Sequence, residues 1–165
     1  MLVKRAMSKN VVSVSVPGNR EKVLDLMRKE DKAVLPVVKG DTKQLVGLIT
    51  RSDLIVNPDE EQIAILMSTD LVTASPDDDV KDVAKKMIDN NVRRVPVVDD
   101  NGDLVGIITS FDLVSNALIK LESDDPVENF MITTVPTTWY KTPLNVSFET
   151  MKQFGLKSVL ALNDS

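Results

Sequence analysis

The chain repeats itself, and that repeat limits what it can fold into more than any other feature. Met7-Ser8 recurs sixty residues on as Met67-Ser68. At the same spacing Val12-Ser13 falls on Val72-Thr73, Val23 on Val83, and Met27 on Met87. Leu35-Pro36-Val37-Val38 likewise falls on Val95-Pro96-Val97-Val98. One residue drops out of the following turn. Leu45-Val46-Gly47-Leu48-Ile49-Thr50-Arg51-Ser52-Asp53-Leu54 then matches Leu104-Val105-Gly106-Ile107-Ile108-Thr109-Ser110-Phe111-Asp112-Leu113. A third, shorter copy places Met131 at the position of Met7, Met151 at that of Met27, and residues 159–162 at those of 35–38. Every Met after Met1 occupies one of these two repeat positions, which marks the methionines as core residues. The third copy reaches Ser165 before its Leu-Val-Gly-x-Ile-Thr stretch, which would leave a strand edge unpaired. The expectation is a fragment of a longer chain, with four copies as the natural complement.

Within one copy the local signals alternate. Val11-Val12-Ser13-Val14 and Leu71-Val72-Thr73 are short β-branched runs that read as strands. Ser75-Pro76-Asp77-Asp78-Asp79 offers an N-cap, a first-turn proline and carboxylates at the positive end of a helix, and capping explains these aspartates better than a metal site. Val80, Val83, Ala84, Met87 and Ile88 then trace one buried helical face. Asp31, Asn91 and Gly155 each stand four residues past a helical Met and tolerate the left-handed backbone of a helix end. Strands follow over 34–38 and 95–98. Asp99-Asp100-Asn101-Gly102-Asp103 is a hairpin turn, 104–108 returns as a strand, and a second helix runs from Thr109 through Leu113, Val114, Ala117 and Leu118.

Each copy is therefore β-α-β-β-α. A unit of roughly 55 residues buries too little by itself, so two copies are expected to pack as one α/β domain. Asn57-Pro58-Asp59-Glu60 and Glu122-Ser123-Asp124-Asp125-Pro126 are the polar connections between copies.

Composition removes several functions. With no Cys and no His there is no disulfide, thiolate nucleophile, imidazole base or Cys/His metal site, and the reading is that the chain is not an enzyme. A net charge of -5 argues against gripping a nucleic-acid backbone, and 4% aromatics are too few for a base-stacking platform. No apolar run is long enough to span a bilayer, and Met1-Leu2-Val3-Lys4-Arg5 does not begin a signal peptide, so a cytoplasmic protein is expected.

The element order, with Gly-x-Ile-Thr-x-x-Asp closing each full copy, resembles the cystathionine-β-synthase (CBS) domain family. Residues 2–57 look like a first motif, 60–119 like a second, and 127–165 like the front half of a third (strand, helix, strand), so the resemblance covers nearly the whole chain. It implies tandem motifs related by a pseudo-twofold and packed through their sheets, a Bateman module. The clefts between them would hold adenosine-type ligands: AMP, ADP, ATP or S-adenosylmethionine. No cofactor is required on this reading.

Thr50 and Asp53, and Thr109 and Asp112, fall on the family's ligand-contacting Thr-x-x-Asp. There the Asp would take the ribose hydroxyls, and the Thr with the helix N-terminus a phosphate. The same pattern is a helix capping box, and the two roles are compatible. Ser13-Val14 and Thr73-Ala74 fall on the first strand, whose backbone reads the base in relatives, and the small Ala74 would leave room for adenine. Arg93-Arg94 before Val95-Pro96 falls where nucleotide-binding relatives place basic side chains. Two adjacent strand residues point to opposite faces, so one arginine readily enters a given cleft. The second copy should thus give the better phosphate site, with Arg51 as compensation in the first.

Two functions remain open. One is a regulatory sensor that passes its ligand state to an unidentified effector protein, pairing as a homodimer or with further CBS motifs. The other is a ligand-free dimerisation or structural pairing module, with Leu54, Ile55, Leu113, Val114, Ala117 and Leu118 as its surface. Trp139-Tyr140 in the third copy reads as cover for exposed core.

Overall fold

The computed structural model describes residues 1–118, 125–156 and 158–163. The chain divides into two compact units, Met1–Glu122 and Ser123–Ser165. The first begins with a 3₁₀ turn at Val3–Arg5. Then come β1 (Val14–Val16), α1 (Arg20–Lys29), β2 (Val34–Lys39), β3 (Leu45–Thr50), α2 (Arg51–Val56) and α3 (Ile63–Leu66). It continues with α4 (Val80–Asp89), β4 (Arg94–Val98), β5 (Leu104–Thr109) and α5 (Ser110–Leu118). β1 runs parallel to β2, and β2 and β3 form an antiparallel hairpin, as do β4 and β5.

The opening strands differ from the sequence reading. In the first copy pairing begins at Val14 rather than Val11. In the second, residues 71–73 form no strand, and the pairing shrinks to one parallel bridge between Ala74 and Val97. The reason lies just beyond: Asp78 N–H closes a turn onto Ser75 C=O (3.1 Å), which carries the chain away from β4 at once. That turn also moves the helix start. Asp79, not Ser75, caps α4 by accepting from Lys81 N–H at 2.9 Å, and Pro76 stands in the turn with its carbonyl accepting from Lys4 N–H. The Asp79 carboxyl is held below its ordinary range, first by that Lys81 bond and then by the Met1 amine. Asp77 pairs with Lys4 and Asp78 with Lys86.

The helix ends follow the sequence. Asp31 (φ 47°), Asn91 (φ 51°) and Gly155 (φ 62°) all adopt the left-handed backbone. In the 99–103 turn only Gly102 does so (φ 80°), while the Asp99 carboxylate accepts from Asn101 and Asp103 N–H. The two hairpin tips are stitched together: Leu45 N–H donates to Gly102 C=O (3.1 Å) and Leu104 N–H to Lys43 C=O (2.8 Å).

The packing holds a feature that the repeat alone does not reveal. One core gathers Val23, Met27, Leu35, Val37, Ile49 and Leu54 of the first copy with Ile63 and Leu66 of the second. The other gathers Ala74, Val83, Met87, Val95, Val97 and Ile108 of the second copy with Val3 and Ala6 of the first. The leading segments are exchanged. Each also extends the other motif's sheet, Ser8 bridging Ile107 and Ser68 bridging Leu48 through paired backbone bonds of 2.9–3.0 Å.

Exchange explains the glycine in each closing strand. A Cβ on Gly106 would lie 2.5 Å from Met7 Sδ and 3.2 Å from Ser8 O, and one on Gly47 would meet Met67 and Ser68 at the same distances. Gly106→Ala is therefore expected to lower stability by about 1–3 kcal/mol through overpacking, read as a fall in the urea midpoint. A neutral Gly106→Ala would mean that the Met7 segment does not press on this strand.

Within the helices the buried face is narrower than its periodicity. Val83 and Met87 are buried and Val80 and Ala84 half-buried, but Ile88 is 78% exposed, on the open groove between α4 and α5.

In the second unit a 3₁₀ turn at Val127–Asn129 leads to β6 (Thr137–Trp139), α6 (Leu144–Gln153) and β7 (Leu160–Leu162), with β6 and β7 parallel. A hollow of about 520 Å³ lies over Met151 and Val159, where the first motif places Ile49 and Leu54 above Met27 and Leu35. Met131 departs from the core role expected of the methionines. It is 54% exposed, since among the described residues it meets no closing-strand glycine of the kind that receives Met7 and Met67. Trp139 and Tyr140 pack edge to face at 5.3 Å and stay partly exposed. Lys157 and the Glu122-Ser123-Asp124 part of the connection lie outside the described residues.

Candidate functional site

Each closing strand delivers its Thr-x-x-Asp to a helix start. Thr50 N–H donates to Asp53 Oδ2 (2.8 Å) and Asp53 N–H to Thr50 Oγ1 (3.2 Å), a complete capping box. Thr109 and Asp112 repeat it at the same distances, with the Thr109 hydroxyl also donating to Asp112 Oδ2 at 2.6 Å. Both pairs are half-buried, so capping uses them without removing them from the surface.

The second box stands in a cavity of about 210 Å³ built by both motifs. Thr109, Asp112, Ile107 and Arg94 come from the second copy. Val11, Val12, Val34, Leu35 and Pro36 form an apolar wall from the first, with Ser8, Asn10 and Lys32 completing the rim. An apolar slot with a carboxylate at one end and two cations beside it suits a flat, partly polar molecule bearing negative charge.

The two arginines part as strand alternation requires. Arg94 lines this cleft, while Arg93 lines a separate groove between α4 and α5 with Met87, Ile88 and Leu113. The other candidates scatter. Val95 is fully buried in the second core with Ala74 (3% exposed), whose N–H and C=O are both engaged by β4, and neither is among the residues that line the cleft. Pro96 is buried too, and the proline on the cleft is its counterpart Pro36. Ser13 and Val14 line neighbouring hollows, and Thr73 C=O accepts from Lys86 Nζ. Arg51 donates to the Lys32 carbonyl at 3.2 Å, which ties it to the connection between α1 and β2.

Lys32, Val11 and Val12 line the cleft as well, beyond the residues expected there. The signal was present: in a twofold pair, the box of one copy faces the strands of the other. Leu54, offered as partner surface, is fully buried in the first core, whereas Ile55 and Val114 are 65% and 49% exposed. The side chains of Ala117 and Leu118 lie outside the described residues.

Two β-α-β-β-α motifs, packed by exchange around a cleft lined from both, define a tandem-motif α/β module. Residues 3–59 and 61–118 each match the family model of the CBS domain, and the chain belongs to that family as a CBS pair. Uncharacterized protein MJ1426 of Methanocaldococcus jannaschii is 32% identical over 152 residues, covering 69% of this chain and 89% of the relative. Uncharacterized protein MK0525 of Methanopyrus kandleri is 36% identical over 85 residues (47% of this chain), and the chain covers only 43% of its length. An inosine-5'-monophosphate dehydrogenase of Nitrosopumilus maritimus is 35% identical over 120 residues, which are 69% of this chain but 24% of that enzyme.

Among solved structures, protein MJ1225 of Methanocaldococcus jannaschii shares the fold with a TM-score of 0.83 at 19% identity, covering 99% of this chain and 66% of that one. The CBS domain pair of protein MJ0100, in complex with 5'-methylthioadenosine and S-adenosyl-L-methionine, gives a TM-score of 0.65 at 32% identity, covering 71% and 99%. CBSX2 in complex with AMP gives 0.65 at 25%, covering 73% and 98%. Among the described residues, no helix is long and apolar enough to cross a membrane.

Proposed function

We propose that this chain is a regulatory module that binds an adenosine-type ligand in the cleft between its paired CBS motifs and passes its state to a partner protein. The observation that carries this reading is the cavity itself, where Thr109, Asp112 and Arg94 of one motif face the apolar wall of the other. In it the adenine lies against Val11, Val12 and Pro36, the ribose hydroxyls meet the Asp112 carboxylate, and the helix start of α5 with Arg94 takes the charged end. The adenosine ligands of the MJ0100 pair and of CBSX2 support the ligand class. Because the ligand touches both motifs, it stabilises the arrangement in which they close on it, and that differential is what a partner can sense.

A thermal-shift panel with AMP, ADP, ATP, S-adenosylmethionine and 5'-methylthioadenosine tests the reading. A ligand at 100 times its dissociation constant adds about 2.7 kcal/mol of apparent stability, a rise of several degrees. Asp112→Asn, which keeps a capping acceptor, is expected to abolish most of that ligand-induced rise. Flat melting curves with every ligand at millimolar concentration would instead support a ligand-free pairing module, for which the exposed Ile88, Phe111 and Val114 offer a surface.

A further inference from the structure

The second unit opens with a leading segment built like those that exchange in the first. Val127–Asn129 forms the same 3₁₀ turn as Val3–Arg5, and the repeat sets Val127, Phe130 and Met131 on Val3, Ala6 and Met7. In the first unit these positions are buried in another motif's core or pressed on its closing strand. Here Val127, Phe130, Met131 and the following Ile132 are all exposed, Phe130 at 74%. Both hosts of the first unit are already filled, Gly106 by Met7 and Gly47 by Met67. The second unit also holds an unfilled host. In the first motif Ile63 and Leu66 join Met27 and Leu35 in one core, and the same place over Met151 and Val159 is the hollow of about 520 Å³. The segment and the hollow that would receive it are both bare.

Charge says which host this segment fits. In the exchange of the first unit, Lys4 of the guest segment bonds Asp77, just before the helix of its host, at 2.6 Å. The repeat carries Lys4 to Glu128 and Asp77 to Lys141, so both signs are reversed together. Glu128 would be repelled by Asp77, and the same position of the other host is the uncharged Pro17. It is complementary to the host of its own copy, where Lys141 Nζ lies 5.2 Å from the Tyr140 ring centroid. The backbone agrees. Val3 N–H donates to Asp78 C=O (3.0 Å) and Ile63 N–H to Gly18 C=O (3.3 Å), and the corresponding pair is Val127 with Thr142. Neither leading segment of the first unit packs on its own motif, so the complementary host is the one on a second molecule.

We infer that two copies of this chain associate through their second units, each inserting residues 127–132 into the hollow of the other. Glu128 of each copy then meets Lys141 of the other, the charge-reversed form of the Lys4–Asp77 pair. Phe130, where the first copy has Ala6, brings the larger side chain that an open hollow can take. The contact is isologous and closed, so it stops at two chains. It does not depend on any ligand in the first unit.

Sedimentation equilibrium of the full chain tests this. A monomer–dimer equilibrium is expected, and Phe130→Ser is expected to abolish the dimer. Glu128→Lys and Lys141→Glu are each expected to weaken it about tenfold, because like charges then face each other twice per dimer. Mixed in equal amounts, these two variants are expected to associate as tightly as the unaltered chain, since each reversed residue then faces an opposite charge. Glu128, Phe130 and Lys141 are all exposed, so the circular dichroism of each variant should match that of the unaltered chain. A monomer at every concentration would overturn the inference and leave the segment to a motif outside this chain. A dimer indifferent to Phe130→Ser, or reversed variants that do not recover on mixing, would overturn it as well.

Discussion

Replacing Ile63 with alanine is expected to cost about 2–5 kcal/mol of stability, and to cost it in the core of the motif that does not carry residue 63. Ile63 is fully buried, and its neighbours are Val23, Met27, Leu35 and Ile49 of the first copy. A cavity there loosens β2 and β3 while β4 and β5 keep their own cover. Urea unfolding should show a lower midpoint with an unchanged slope. Amide exchange should rise first in the β2–β3 hairpin. A loss below about 1 kcal/mol, or exchange that rises first in β4–β5, would contradict the exchanged packing.

The same exchange sets the outcome of cutting the chain between the copies. Residues 60–118 alone lack Val3 and Ala6, and residues 1–59 alone lack Ile63 and Leu66, so each core loses buried side chains that its own copy cannot supply. A piece of roughly 60 residues has little stability to spare, and neither piece is expected to unfold cooperatively. Mixed in equal amounts, they are expected to recover a single cooperative transition, because each brings the segment that the other needs. Circular dichroism melts of the two pieces, apart and mixed, decide the matter. Cooperative melting of either piece alone, near the temperature of residues 1–118, would mean that the leading segments are dispensable.

Much of the fold was legible because it is local. Helix ends, turn residues and strand alternation depend on neighbours in sequence, which is why Asp31, Asn91 and Gly102 read correctly. The exchange was not legible, since the offset between copies is the same whether a leading segment packs on its own motif or on the next. Its one trace is the pairing of a glycine in each closing strand with a methionine in each leading segment, Gly106 with Met7 and Gly47 with Met67. Periodicity cannot name such partners.

The site divided along the same line. Thr109, Asp112 and Arg94 were legible as residue types in a pattern. The other expected contacts Ser13, Val14, Thr73, Ala74, Val95 and Pro96 do not line this cavity, and Ala74, Val95 and Pro96 are buried. The wall of the cleft comes instead from the first copy, through Val11, Val12 and Pro36. Lys32 belongs to no repeated pattern, since its counterpart sixty residues on is Val92.

Reciprocal exchange also bears on how such a gene can grow. Each motif hosts its neighbour's leading segment, so duplicating a single motif creates one segment without a host and one core without a guest. Duplicating a pair leaves every core filled. In a chain built this way the motifs are complete in pairs, and a motif added singly brings a core that its own leading segment does not fill.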